Sequence, residues 1–161
     1  MGVAHEHEGM AMVFCLVLLI GHLSTTPLLK ADLKIGALSL LCGVALDSIL
    51  QYFSIIKFHG VRIEPLSPFW LWGLWLLFGM TLHSSLGFLL NRPLFFSAVL
   101  GFVFGPFSYC SGAVLGAAVF DPVLGNALPM AVAWSLMLTW LVAFAARDHS
   151  ESRQGLGDRI P

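Results

Sequence analysis

Charge is scarce in this chain. Lys, Arg, Asp and Glu make up 11% of its 161 residues, against about a quarter in a soluble domain. The few charges sit almost entirely between apolar runs, which leaves no stretch long enough for a soluble domain. Basic patches and aromatic–basic faces are missing, so nucleic acid is excluded as an expected partner. Cysteine is limited to Cys15, Cys42 and Cys110, all within apolar runs and without a CxxC pair, which argues against a disulfide scaffold. No GxSxG, HExxH or Walker-type pattern occurs. His5, Glu6, His7 and Glu8 stand where a signal peptide carries Lys or Arg, so the first apolar run reads as a retained span. His5 and His7, with Met10 and Met12 near, have the chemistry of a soft-metal site. No Cys or further His clusters beside them to complete one, and the sequence implies no metal and no cofactor.

Apolar residues fill the space: 58% of the chain is hydrophobic, with a mean hydropathy of +0.87. Five apolar runs stand out, at residues 9–26, 33–54, 69–90, 94–118 and 124–146. Each is about 18–25 residues, enough to cross a hydrocarbon core of about 30 Å as a helix. The expected fold is therefore all-α, a polytopic transmembrane bundle of five spans in one domain, residues 1–146. Short connections make successive helices antiparallel neighbours. Residues 147–161 are polar and are expected to form a disordered cytoplasmic tail. With the N-terminus outside, the cytoplasmic segments hold Lys30, Lys34, Arg92, Arg147, Arg153 and Arg159, and the outer ones only Lys57 and Arg62. That satisfies the positive-inside rule and places the C-terminus in the cytoplasm. Trp70, Trp72 and Trp75 then open the third span as interfacial anchors, while Trp134 and Trp140 lie deeper.

The fourth run is marked by glycine. Gly101, Gly105, Gly112 and Gly116 fall at about 0°, 40°, 20° and 60° around a helix, with Tyr109 beside them at about 80°. Such a stripe lets another backbone approach closely. The second run has a matching face. Taking Gly36 as zero, Gly43, Asp47, Ser54, Gln51 and Ser39 all lie within about 60°. A carboxylate in a span must face the bundle interior. The stripe is therefore expected to pack against the Asp47 helix, with Tyr109 at the seam.

Depth sorts the polar groups. At 1.5 Å per residue, Asp47 and Tyr109 both lie about 21–22 Å from the inner face, and His83 only about 10 Å. The expected cluster is Asp47 with Tyr109 and Gln51. His83 shares a layer with Ser39 and Thr139 and does not reach Asp47. Thr81, Ser84 and Ser85 can return their hydroxyls to their own helix. Asp47, Gln51, Tyr109, His83, Ser84 and Thr81 are thus the candidate binding or buried polar residues, and Gly43, Gly101, Gly105, Gly112 and Gly116 the candidate packing residues.

Three long segments carry a resemblance: GVALDSILQYFSII, SPFWLWGLWLLFGMTLHSSLGFLL and NRPLFFSAVLGFVFGPFSYCSGAVLGA. The chain resembles the bacterial multi-spanning membrane family catalogued as domain of unknown function 2878. The matching positions are Gly43, Asp47 and Ser48; Trp75, Phe78, Thr81, Leu82, Ser85 and Leu86; and Gly105, Pro106, Tyr109, Gly112 and Gly116. Family members usually carry Asn or a similar residue where this chain has His83, and usually begin with one further apolar span. The resemblance implies a bacterial inner-membrane protein, with a link to modification of membrane lipids, but no established activity. Three functions compete. One is a non-enzymatic accessory or scaffold component, packing against lipid, a partner membrane protein or a second copy. Another is a transporter or substrate-binding subunit with a pocket near Asp47 and Tyr109. The third is an intramembrane lipid-modifying enzyme using Asp47 or His83 as acid or base.

Overall fold

A computed structural model describes residues 2–157, with side chains within residues 9–148. The fold is all-α apart from one small ribbon. Five helices follow in order: α1 Gly2–Thr25, α2 Leu29–Tyr52, α3 Phe69–Met80, α4 Leu94–Val114 and α5 Leu124–Gly157. Two three-residue strands, β1 Ile56–Phe58 and β2 Ala118–Phe120, pair antiparallel with Ile56 opposite Phe120 and Phe58 opposite Ala118. The ribbon ties the end of α2 to the end of α4 and marks one end of the bundle.

Among the described residues, three helical segments are long and apolar enough to cross a membrane: Leu29–Tyr52, Leu94–Val114 and Gly125–Asp148. Met12–Thr25 and Phe69–His83 are shorter apolar helices. Large apolar side chains cover the outside of the bundle, among them Phe14, Val17, Ile20, Phe95, Phe104, Phe107 and Leu136. Exposed apolar side chains in this number suit a lipid surrounding better than water.

Two helix pairs build the core. α2 packs on α3, and α4 packs on α5; α1 lies against α3, and α5 also touches α2. The first pair closes through small residues. A Cβ on Gly79 would meet Ser39 Cβ at 2.5 Å and the Ile35 carbonyl oxygen at 2.7 Å. Gly43 leaves room for the Trp75 indole, which a Cβ would strike directly. The Ser39 hydroxyl then donates to the Trp75 carbonyl at 2.8 Å.

Several expectations need correction. The third apolar run is not one helix. α3 stops at Met80 and continues as 3-10 turns over Thr81–His83 and Gly87–Asn91. The sequence there is rich in hydroxyls that compete for backbone groups. Thr81 Oγ1 donates to the Phe78 carbonyl at 2.7 Å, and the Thr81 carbonyl accepts from the Ser84 and Leu86 amides.

The fourth run also ends early. Gly116 lies outside α4 at φ 76° and closes it. The Ala117 amide bonds the Gly112 carbonyl at 2.9 Å, and the Gly116 amide bonds that of Ala113 at 3.0 Å. This is the paired closure in which a left-handed residue after the helix favours glycine. The chain then turns into β2, a strand that the apolar run concealed.

The glycine stripe packs against α5, not against the Asp47 helix. A Cβ on Gly101 would meet the Trp134 carbonyl oxygen at 2.6 Å, and one on Gly105 the Trp134 Cγ at 2.5 Å. Gly112 has nothing within 4 Å. α5 itself runs past Ala146 to Gly157, so the polar tail is helical through that residue. The imidazoles of His5 and His7, and residues 158–161, lie outside the described residues.

Candidate functional site

α2 holds a buried carboxylate near each end. Asp47 sits near the ribbon and is fully buried. Burying a carboxyl group costs several kcal/mol unless its oxygens are satisfied. Both are. Trp75 Nε1 on α3 donates to Oδ2 at 2.6 Å, and the Tyr109 hydroxyl on α4 donates to Oδ1. One carboxyl group thereby joins the two helix pairs. The next residue extends the junction. Ser48 Oγ donates to the Val44 carbonyl at 2.6 Å and accepts the Ser67 amide at 3.0 Å, which anchors the loop before α3.

Around these donors lies a box of aromatic rings. Trp75 stacks on Trp134 at 4.8 Å between centroids, with 29° between planes. Tyr109 meets Trp134 edge-on at 6.0 Å, and its ring is tilted by 48° to that of Phe58 at 5.9 Å. Phe78 stands edge-on to both Trp75 and Trp134. Next to the box is a cavity of about 390 Å³. Its walls come from α3 (Trp70, Leu71, Leu74, Trp75, Phe78), from α4 and the turn after it (Ser108, Tyr109, Gly112, Leu115, Ala117), and from Phe58, Ala118 and Trp134. Gly112 matters here because it carries no side chain into this space.

Asp47 is not part of the cavity wall. Tyr109 and Trp75 stand between its carboxyl group and the space, each spending its polar hydrogen on Asp47. Ser108 on the wall donates to the Gly105 carbonyl of its own helix at 2.7 Å. The cavity therefore offers shape and aromatic surface to an apolar guest, which is the composition of most small-ligand sites. It presents no carboxylate or imidazole within reach of a reacting atom.

The second buried carboxylate, Asp32, lies at the opposite end of α2 and is 1% exposed. His83 Nδ1 donates to Oδ1 at 3.0 Å. His22 Nε2 donates to Oδ2 at 3.0 Å, and the Thr26 hydroxyl bonds the same oxygen. A carboxylate only accepts, so these bonds fix which ring nitrogen of each histidine carries its proton. The cluster ties α1, the turn after it, α2 and the first 3-10 turn together. Nearby, Lys34 pairs with Asp148 of α5 and lies 5.1 Å over the Phe144 ring.

The model of a family described as protein of unknown function (DUF2878) matches residues 1–140. The chain belongs to this family. No curated protein and no solved structure matches it. Seven of the positions that carry the DUF2878 resemblance lie at the Asp47 junction and its cavity. Gly43, Asp47, Trp75 and Tyr109 form the carboxyl junction; Phe78 and Gly112 line the cavity; Gly105 seats Trp134.

The remaining candidate residues are dispersed. Gln51 Oε1 accepts the Phe58 amide at 3.4 Å and makes no bond to Asp47. Thr81 and Ser84 bond to nearby backbone carbonyls, away from Asp47. His83 joins Asp32, while Ser39 and Thr139 bond backbone carbonyls instead. Trp70 and Trp72 donate to loop carbonyls of His59 and Ser67, as interfacial residues do, but Trp75 is buried and belongs to the Asp47 junction. Asp32 is absent from the sequence-based candidates because the second span reads as beginning at Leu33. The signal was present, since Asp32 extends the Gly36, Ser39, Gly43 and Asp47 face by one more helical step.

Proposed function

We propose that this protein is a non-enzymatic, multi-pass component of the bacterial inner membrane that holds an apolar chain, such as a lipid acyl chain, in its aromatic cavity. One observation carries the reading: a cavity of about 390 Å³ between α3 and α4, lined by rings and aliphatic groups, with the neighbouring carboxyl group turned away and satisfied. The rim residues Leu74 and Leu115 are 45% and 83% exposed, so the space opens onto the surface that lipid would cover. The positive-inside orientation puts the ribbon end, and hence the cavity, in the outer half of the membrane. Asp47 then acts as a structural junction that keeps the two helix pairs at the separation the cavity needs. Any link to lipid modification would run through presentation of a lipid to a partner.

The test is native mass spectrometry of protein released from lipid discs. Wild type should retain lipid, and Gly112→Leu and Ser108→Leu, which place side chains in the cavity, should lose it while remaining folded. Equal retention by wild type and both variants would overturn the reading.

A further inference from the structure

A second cavity of about 470 Å³ adjoins the first, and its lining includes Gln51, Lys57, His59, Arg62 and Glu64. Phe58 lines both. The ribbon explains the division, because successive strand residues face opposite ways. Phe58 and Ala118 are buried toward the aromatic cavity, whereas Lys57 and Val119, a cross-strand pair, are exposed toward the polar one. An apolar space and a polar one thus lie on either side of a single thin ribbon.

The polar cavity carries surplus positive charge. Arg62 Nε donates to Glu64 Oε1 at 2.7 Å, and its Nη1 donates to the Phe58 carbonyl at 3.1 Å. The only carboxylate on this wall among the described residues, Glu64, is thereby committed to Arg62. Lys57 has no carboxylate partner among the described residues. An occupant complementary to both spaces has an apolar chain and an anionic group at one end.

Resting on the apolar-chain reading above, we infer that the ligand is a phospholipid with an anionic headgroup, its acyl chain between α3 and α4 and its phosphate beside Lys57. A lysine near a membrane surface favours an anionic lipid by about fivefold, and that is the selectivity expected here. The measurement is tryptophan quenching in lipid discs, because Trp70, Trp75 and Trp134 line the aromatic cavity. The probes are phosphatidylglycerol and phosphatidylcholine brominated on their acyl chains, with Gly112→Leu setting the level due to surrounding lipid. Brominated phosphatidylglycerol should reach half-maximal quenching of wild type at about one-fifth the mole fraction that phosphatidylcholine needs. Lys57→Ala should bring the two lipids level, and Lys57→Arg should keep the preference. Equal quenching of wild type by both lipids, above the Gly112→Leu level, would overturn the headgroup inference and leave the apolar-chain reading standing. So would a preference that survives in Lys57→Ala. Quenching no greater in wild type than in Gly112→Leu would overturn both.

Discussion

Three glycines on one helix should respond in opposite ways to the same added methyl group. A Cβ on Gly101 would lie 2.6 Å from the Trp134 carbonyl oxygen and 2.9 Å from Ser135 Cα. Both are backbone atoms of α5 and cannot turn aside. A Cβ on Gly105 would lie 2.5 Å from Trp134 Cγ and 2.6 Å from its Cβ, and that indole is held in its stack on Trp75. Gly101→Ala and Gly105→Ala must therefore push α4 from α5, at a cost of about 1–3 kcal/mol each. Gly112 has nothing within 4 Å, so Gly112→Ala removes only the entropic penalty of glycine in a helix and should stabilise by about 0.5–1 kcal/mol. The gap between the two classes is then about 1.5–4 kcal/mol. Reversible unfolding in mixed micelles of a mild detergent and dodecyl sulfate would measure it. Three variants of equal stability, or Gly112→Ala as the weakest, would refute the packing of the stripe on α5.

Other consequences are equally direct. Asp47→Leu leaves the buried Trp75 and Tyr109 donors without an acceptor and should cost about 2–4 kcal/mol in the same assay; Tyr109→Phe, which removes one bond, should cost about 1 kcal/mol. Asp32→Asn and His83→Gln touch the same hydrogen bond, so their effects should be non-additive by at least about 0.5 kcal/mol in a double-mutant cycle. Full additivity would separate the two residues. Gly79→Leu should prevent α2 from closing on α3 and abolish recovery of folded protein, read by gel filtration in detergent, since both Ser39 Cβ and the Ile35 carbonyl occupy that space.

Much of this was legible in the residues. Each apolar run holds one of the five helices, but among the described residues only three segments are long and apolar enough to cross a membrane, and the third run breaks after Met80. Helical depth puts Asp47 and Tyr109 in one layer, and they are hydrogen-bonded. What periodicity could not supply was the partner of each face. A glycine stripe says that something packs closely but not which helix, and α5 fits Gly101 through its backbone at Trp134 and Ser135 and Gly105 through the Trp134 side chain. Trp75 reads as a belt residue from its place near the start of α3, yet the gap at Gly43 draws its ring inward to Asp47. The ribbon was hidden because Ala118–Phe120 continues an apolar run, and hydropathy does not distinguish a short buried strand from a helix end. The hydroxyls of Thr81 and Ser84 do return to nearby carbonyls, but hydropathy does not show that the helix ends there in 3-10 turns.

Photo-crosslinking would locate an occupant most directly. A phospholipid carrying a diazirine near the end of its acyl chain would be incorporated into lipid discs with the wild-type protein, irradiated, and the adducts mapped by peptide mass spectrometry. Adducts concentrated on Leu74, Trp75, Ser108, Tyr109 and Gly112, and lost in Gly112→Leu, are the expected result. Adducts spread evenly over outward residues such as Phe104, Phe107 and Leu136, with none enriched in the cavity, would contradict an acyl chain held between α3 and α4.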